Sequence, residues 1–392
     1  MRRFLIIIQF LFFLSFNNVS AAAIQLSSDA EISILTCSPG EELYSVFGHS
    51  ALRVFDPINR IDIVYNYGTF DFNTHNFYIK FFRGQLDYML SVESFAGFKE
   101  QYVYDNRSVW EQVLNLSPTE KQAAFNLLVE NARPENRNYR YDYFYDDCST
   151  RIRDILQRAL NGQIYFSDIT DKKDKSFREL LDPYLTESQW TDLGMDLLLG
   201  LPSDMTASSD EYMFLPDFLM LAFDKAVHKT TKKPLVKSEI TIYEAKKMQA
   251  AASGFLTPKL VFWVILVLVI IVSILLWPRN PVRYWFDFSY FLIFGLLGIL
   301  LLLFWVATDH QAAAFNLNLL WAMPFHAIMA FFLIKKNKPR FVNFYFLGYS
   351  LLMLLLLISF KALPQGFNTS IIPIVITLCI RSFVIFWKEN RD

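Results

Sequence analysis

Five apolar runs near the C-terminal end set the strongest limit on how this chain folds: Leu260 to Trp277, Tyr284 to Ala307, Ala314 to Ile334, Phe341 to Phe360 and Thr369 to Trp387. Each is long enough to cross a hydrocarbon core as a helix, the form in which a backbone segment satisfies its own hydrogen bonds there. The chain opens with Arg2 and Arg3, an apolar run from Phe4 to Phe16 and small residues from Val19 to Ala23. This is the pattern of a cleavable secretory signal over residues 1–23; an uncleaved anchor is the alternative, but the run is short for a span. The chain beyond the signal is therefore expected outside the cytoplasm. The connections after the first, third and fifth runs then face inward, and they carry Arg279, Arg283, Lys335, Lys336, Lys338, Arg340, Lys388 and Arg391. The two outer loops carry only Lys361, an asymmetry that orients membrane proteins in this sense.

With 53% hydrophobic residues and 39 Phe in 392, the chain is too apolar for an ordinary soluble enzyme. Its net charge of -1 gives no electrostatic reason to expect a nucleic acid partner. Four parts are expected: the signal, an exported catalytic domain over 24–228, a linker or amphipathic collar over 229–259, and a five-span domain over 260–392. Lys229, Lys232, Lys233, Lys237, Lys246 and Lys247 make the collar available to anionic headgroups, although a solvated charged face has the same composition.

The exported domain reads as α+β. Ile32 to Cys37 and Ser50 to Phe55 are strand candidates, residues 56–60 supply turn chemistry, and Ile61 to Tyr67 returns as the second arm of a hairpin. Tyr139, Tyr141, Tyr143 and Tyr145 alternate with polar or other residues, predicting a further strand. Ile152, Ile155, Leu156 and Leu160 then recur at helical spacing from Ser149 onward. Cys148 is thus placed at the mouth of a helix, where the macrodipole and free N–H groups lower a thiol pKa and a nearby imidazole completes its ionisation.

His49 opens the hairpin and is the candidate base for Cys148. An acceptor on the neighbouring strand must orient its ring, and Asp62 and Asn66 share one face of that strand; Asn66 is preferred. The backbone N–H groups of Cys148 and its helix-opening neighbours offer an oxyanion site. Export also makes a structural disulfide between Cys37 and Cys148 a competitor, and that pairing belongs to a non-catalytic receptor or scaffold. The three cysteines and five histidines show no metal-ligand spacing, so neither metal nor cofactor is expected.

The order of His, a polar residue on the next strand, and Cys on a helix resembles the circularly permuted papain-like superfamily, which includes cell-wall amidases and lipid acyltransferases. More closely, the runs from Leu35 to Val54, from Val64 to Phe70 and from Asp147 to Asp154 resemble motifs of the Lnb-type lipoprotein N-acyltransferases, and the likeness extends over the five-helix tail. That resemblance implies a bacterial inner-membrane, multi-pass enzyme with a periplasmic α+β papain-like domain. It implies transfer of a fatty acyl group from a phospholipid donor, through a Cys148 thioester, to the amino group of a lipoprotein acceptor's N-terminal cysteine. Where the family often has Asn before its cysteine this chain has Asp147, and an adjacent carboxylate opposes thiolate formation.

Arg53 and Arg151, within the first and last of those runs, are candidate substrate contacts. So are His310, Asn316, Asn318 and His326, which cluster in the second outer loop and the outer half of the third span. Polar groups at that depth are costly unless they serve a site or pair internally, and Asn318 and His326 are equally suited to holding helices together. Phe77, Tyr78, Phe81 and Phe82 suit either a bilayer-facing cleft that excludes water from a thioester or an ordinary core. A cell-wall amidase or endopeptidase would use the same Cys and His pair, but has no need of five spans.

Overall fold

The computed structural model describes residues 24–170, 174–246, 255–275 and 285–389. The expected signal at 1–23, and Lys247, Arg279, Arg283 and Arg391, lie outside the described residues.

The exported part is built on an antiparallel sheet. Its strands and helices alternate as β1 (Glu31–Cys37), β2 (His49–Asp56), β3 (Ile61–Thr69), α1 (Phe77–Phe82), β4 (Asp87–Ser94), α2 (Phe95–Tyr104), β5 (Val109–Leu114), α3 (Pro118–Asn131), β6 (Asn138–Arg140) and α4 (Cys148–Ala159). They continue through β7 (Ile164–Tyr165), α5 (Phe177–Leu185), α6 (Gln189–Leu198), α7 (Pro216–Asp224), β8 (Val227–His228) and β9 (Val236–Tyr243). Seven strands share one sheet in the order β6-β4-β3-β2-β1-β5-β9, while β7 and β8 form a small ribbon.

Period-two alternation divides the sheet's two faces. Ile32, Ile34, Leu52, Val54, Tyr65 and Tyr67 enter the main core, where α3 and α4 cover them with Phe125, Leu128, Ile152 and Leu156. Leu35, Cys37, Ala51 and Val64 face the other way, against Phe98 and Tyr102 of α2. Burial of two such layers is the main driving force for this domain.

The structure corrects three expectations. Residues 236–243, expected within a linker, pair with β5 as an edge strand, because an open sheet edge is satisfied by the next extended segment to reach it. The tyrosine alternation is a strand only at Asn138–Arg140, where it pairs with β4. Beyond it Asp142 Oδ1 accepts the N–H groups of Phe144 and Tyr145, each at 3.0 Å, so a side chain turns the backbone away from the ladder.

The third correction lies in the anchor. Its five candidate spans contain α8 (Pro258–Leu275), α9 (Trp285–Ala307), a broken third span, α11 (Arg340–Ser359) and α12 (Ile372–Glu389). The third run, expected as one helix, comprises short 3-10 turns at Gln311–Ala313 and Leu317–Leu320 before α10 (Phe325–Leu333), with Pro324 at the start of that helix. Irregular backbone at membrane depth survives when protein covers it. The cover comes from α9, where a Cβ on Gly298 would stand 2.0 Å from the carbonyl oxygen of Ala322, so only glycine admits this approach. Lower in the bundle Arg381 binds both carboxylate oxygens of Asp287 at 2.7 Å and the hydroxyl of Ser273, joining α12, α9 and α8 through a fully paired buried charge.

The two parts are clasped together. Arg178 of α5 binds Asp204 and Asp196 and the carbonyl of Leu199, while Asp204 also accepts the N–H of Gly366 from the last outer loop. Asn316 and Asn318 donate to the carbonyls of Leu197, Leu198 and Asp196 at the end of α6.

Candidate active site

Cys148 opens α4, with Asp147 as its cap. The Asp147 carboxylate accepts the Thr150 N–H at 2.8 Å, and the Thr150 hydroxyl accepts the Asp147 N–H at 2.8 Å, a reciprocal capping box. Behind the cap Ile152, Ile155 and Leu156 anchor the helix in the core, so the first turn is held rigidly against the sheet.

That first turn meets the sheet where it opens. Pairing of β2 with β3 ends at Leu52 and Tyr65, and the β3–β4 register shifts between Asn66 and Thr69. On the β2 side the Ser50 N–H stands near enough to the sulfur to favour its anion. On the β3 side a Cβ built on Gly68 would stand 3.6 Å from the Cys148 Cβ. Ser149 donates its hydroxyl to that of Ser50 at 3.2 Å, tying the helix start to the residue after His49.

His49 begins β2 directly after Gly48. With φ +83° and a would-be Cβ only 2.8 Å from the Cys37 carbonyl, Gly48 is a position that other residues enter only with strain. The imidazole Nε2 lies 2.5 Å from Asn66 Oδ1, and the Asn66 amide nitrogen donates to Glu93 on β4 at 3.2 Å. Because the Asn66 oxygen can only accept, this contact selects the Nε2–H tautomer and leaves the Nδ1 lone pair free to take a proton.

Electrostatics differs from the expectation of a ready-made thiolate. Burial pushes the Cys148 thiol up, and the surrounding N–H groups of Ser50, Cys148 and Ser149 only partly oppose it. Burial pulls His49 below its ordinary 6.5, again partly opposed by the Asn66 bond. Both directions favour the neutral forms, a thiol on Cys148 and an uncharged imidazole on His49. Burial, and then the neighbouring cysteine, also push the Asp147 carboxyl well up, opposed by its bonds from Thr150 and Ser149.

Other expected residues are placed elsewhere. Asp62 is taken by Arg53 through two bonds of 2.7 and 3.0 Å, so it does not orient His49. Arg53 also binds Glu111 and stacks on Phe95 at 3.5 Å; its charge is spent inside the sheet rather than on a ligand. Arg151 binds both oxygens of Asp146 and lies 3.6 Å over the Tyr139 ring, bracing that side of the site. Asn316 and Asn318, each 2% exposed, serve the interdomain clasp. His326 is enclosed by Phe291 and Tyr349 and bonded to the Tyr345 hydroxyl at 2.6 Å, a packing role within the bundle. His310 alone of that group is exposed, stacked on Phe304.

Cys37 and Cys148 are both free, against the disulfide alternative. Cys37 lies on the α2 face, where burial pushes its thiol up to about 12 and a Tyr102 hydrogen bond partly opposes.

Two neighbours of the site carry no signal along the chain: Glu93, which reaches Asn66 only through strand pairing, and Tyr139. The buried Tyr139 hydroxyl has no hydrogen-bond partner among the described residues and stands 3.8 Å from the would-be Gly68 Cβ, beside Cys148. A period-two reading places Tyr139 on a strand but cannot show what its hydroxyl faces. Among the described residues no group of three His, Cys, Asp or Glu side chains is arranged to hold a metal ion.

Comparison with known proteins adds the family. The Lnb N-terminal periplasmic domain matches residues 16–183, and the Lnb transmembrane domain matches residues 250–392. No curated protein and no solved structure matches the chain. An α+β domain carrying an oriented histidine and a helix-opening cysteine, clasped to five apolar spans and matched in both parts, makes this chain a multi-pass membrane protein of the Lnb family.

Proposed function

We propose that this protein is a lipoprotein N-acyltransferase of the bacterial inner membrane, working through a thioester on Cys148. The observation that supports this reading is a helix-opening Cys148 packed beside Gly68, with Ser149 bonded to Ser50, the residue after a His49 that contacts Asn66 and so has the tautomer of a base. Family membership connects the chain to lipoprotein maturation.

In the first half-reaction His49 Nδ1 takes the Cys148 proton as the sulfur attacks the carbonyl carbon of a phospholipid ester. The tetrahedral oxyanion is met by the Cys148 N–H, which the Asp147 cap leaves to the site, and by the Tyr139 hydroxyl. The C–O bond then breaks, the imidazolium returns its proton to the departing oxygen, and a lysophospholipid leaves. In the second half-reaction the free amine of a lipoprotein's N-terminal cysteine attacks the thioester, the C–S bond breaks, and the amine proton passes through His49 to the sulfur. An amide is more stable than a thioester, so no nucleotide is consumed.

The test uses phospholipid carrying an alkyne-tagged fatty acid. Protein-bound label that hydroxylamine releases, and that is lost in Cys148→Ser, is expected. A diacyl lipoprotein peptide should also gain one acyl group by mass. Undiminished label in Cys148→Ser would overturn the reading.

A further inference from the structure

Helix α1 belongs to the exported domain, yet its side chains are those of a membrane surface. Tyr78, Ile79, Phe81 and Phe82 are exposed by 81, 60, 47 and 41% respectively, a contiguous apolar patch of the kind that marks a binding or membrane surface. The helix sits at the outer end of α9. Phe82 meets Phe304 with ring centres 4.5 Å apart, and the Asp309 N–H donates to the Arg83 carbonyl at 2.9 Å. Between the two helices is a cleft of about 520 Å³, lined by Tyr78, Ile79 and Phe82 on one side and Leu303 and Ala307 on the other. Arg83 stands at its rim, exposed and without a carboxylate partner among the described residues.

The cleft is connected to the thiol by aromatic rings. Tyr141, 3.4 Å from the would-be Gly68 Cβ beside Cys148, lies 4.4 Å from Tyr88. Tyr88 lies 5.4 Å from Phe70, and Phe70 lies 5.8 Å from Phe77, the first residue of α1. Rings at such spacings form one packed apolar row from the start of α1 to the side chains beside the sulfur. Its two ends match the two chemistries of a glycerophospholipid: a cation at the water boundary for the phosphate, and a greasy path for a tail.

We propose that this cleft is the lateral opening by which a membrane glycerophospholipid reaches Cys148, with its phosphate on Arg83 and its acyl chain laid along the path through Phe77, Phe70, Tyr88 and Tyr141. The proposal rests on the acyl-transfer reading of Cys148 and names where its donor binds. A free anion would use only Arg83, whereas a phospholipid uses the rim and the apolar wall together. Filling the cleft therefore matters as much as reversing the charge.

The full chain, reconstituted in phosphatidylglycerol vesicles containing a phospholipid with a diazirine in one tail, tests this. In Cys148→Ser protein, irradiation and peptide mass spectrometry should place adducts on α1 as well as on residues 303–308. Adducts confined to the lipid-facing sides of α8 to α12, with none on α1, overturn the proposal. In the Cys148 background, Ala307→Trp and Arg83→Glu should each lower thioester formation from phospholipid at least tenfold. The rate at which water-soluble iodoacetamide alkylates Cys148 should stay unchanged, which shows an intact site. Wild-type thioester rates in both variants overturn the opening while leaving the chemistry standing. Adducts on α1 in a protein that never forms a thioester support the opening while the acyl-transfer reading falls.

Discussion

Replacing Asn66 with alanine removes the acceptor of the His49 Nε2–H, a contact of 2.5 Å made by a residue only 9% exposed. The loss combines a missing hydrogen bond with a buried donor left unmet, about 1–3 kcal/mol against the productive ring orientation. At roughly 1.4 kcal/mol per tenfold, the rate of thioester formation should fall about 5- to 140-fold. A pre-steady-state assay of label transfer onto Cys148 isolates this step, with KM for phospholipid expected to stay nearly constant because Asn66 does not touch the lipid. The companion Asn66→Asp separates positioning from mere packing. Burial holds His49 below 6.5 in the folded protein, so the neutral base persists as pH falls through that value and activity is lost only further down. A carboxylate beside Nε2 favours the imidazolium, so the acid limb of the pH–rate profile should move upward in Asn66→Asp. A wild-type transient rate in Asn66→Ala, or a wild-type acid limb at or above pH 6.5, would refute the reasoning.

Asp62→Asn should leave the transient rate within about twofold and cost less than about 1 kcal/mol by thermal shift, because its partner Arg53 keeps Glu111 and Asp62 itself is 41% exposed. Gly48→Ala should lower the melting temperature by a strain of about 1–2 kcal/mol and slow the reaction by up to about 100-fold; its Cβ meets the Cys37 carbonyl and moves His49. Tyr139→Phe should slow thioester formation by about 10- to 100-fold without lowering the melting temperature, since the hydroxyl it deletes bonds nothing among the described residues; an unchanged rate would remove Tyr139 from the mechanism.

Features written in short stretches of the chain are legible from residue order alone. The apolar runs, the inward charges, the hairpin and the helix that starts at Cys148 follow from hydropathy, period and turn chemistry, each a property of neighbours along the chain. Asp62 and Asn66 both qualify on that footing, since both occupy the same face of β3, and a preference for Asn66 rests on nothing the strand period decides. Pairing separates them: Arg53 on β2 captures the aspartate, and Asn66, just past the last β2–β3 pair, meets the histidine. Asn316 and Asn318 read as ligands because polar groups in an anchor are expensive. Only the arrival of α6 from the exported domain shows them paired to its carbonyls. Pro324 marks a helix start, but the stability of the irregular span before it depends on Gly298 of another helix. Which elements form is thus a local matter in this protein, governed by periodicity and by the solvent each segment prefers. Which of several chemically equal groups meets the imidazole or the thiol is set by strand register and by surfaces distant in the chain. Those contacts come into being only when the sheet, the helices and the bundle close on one another.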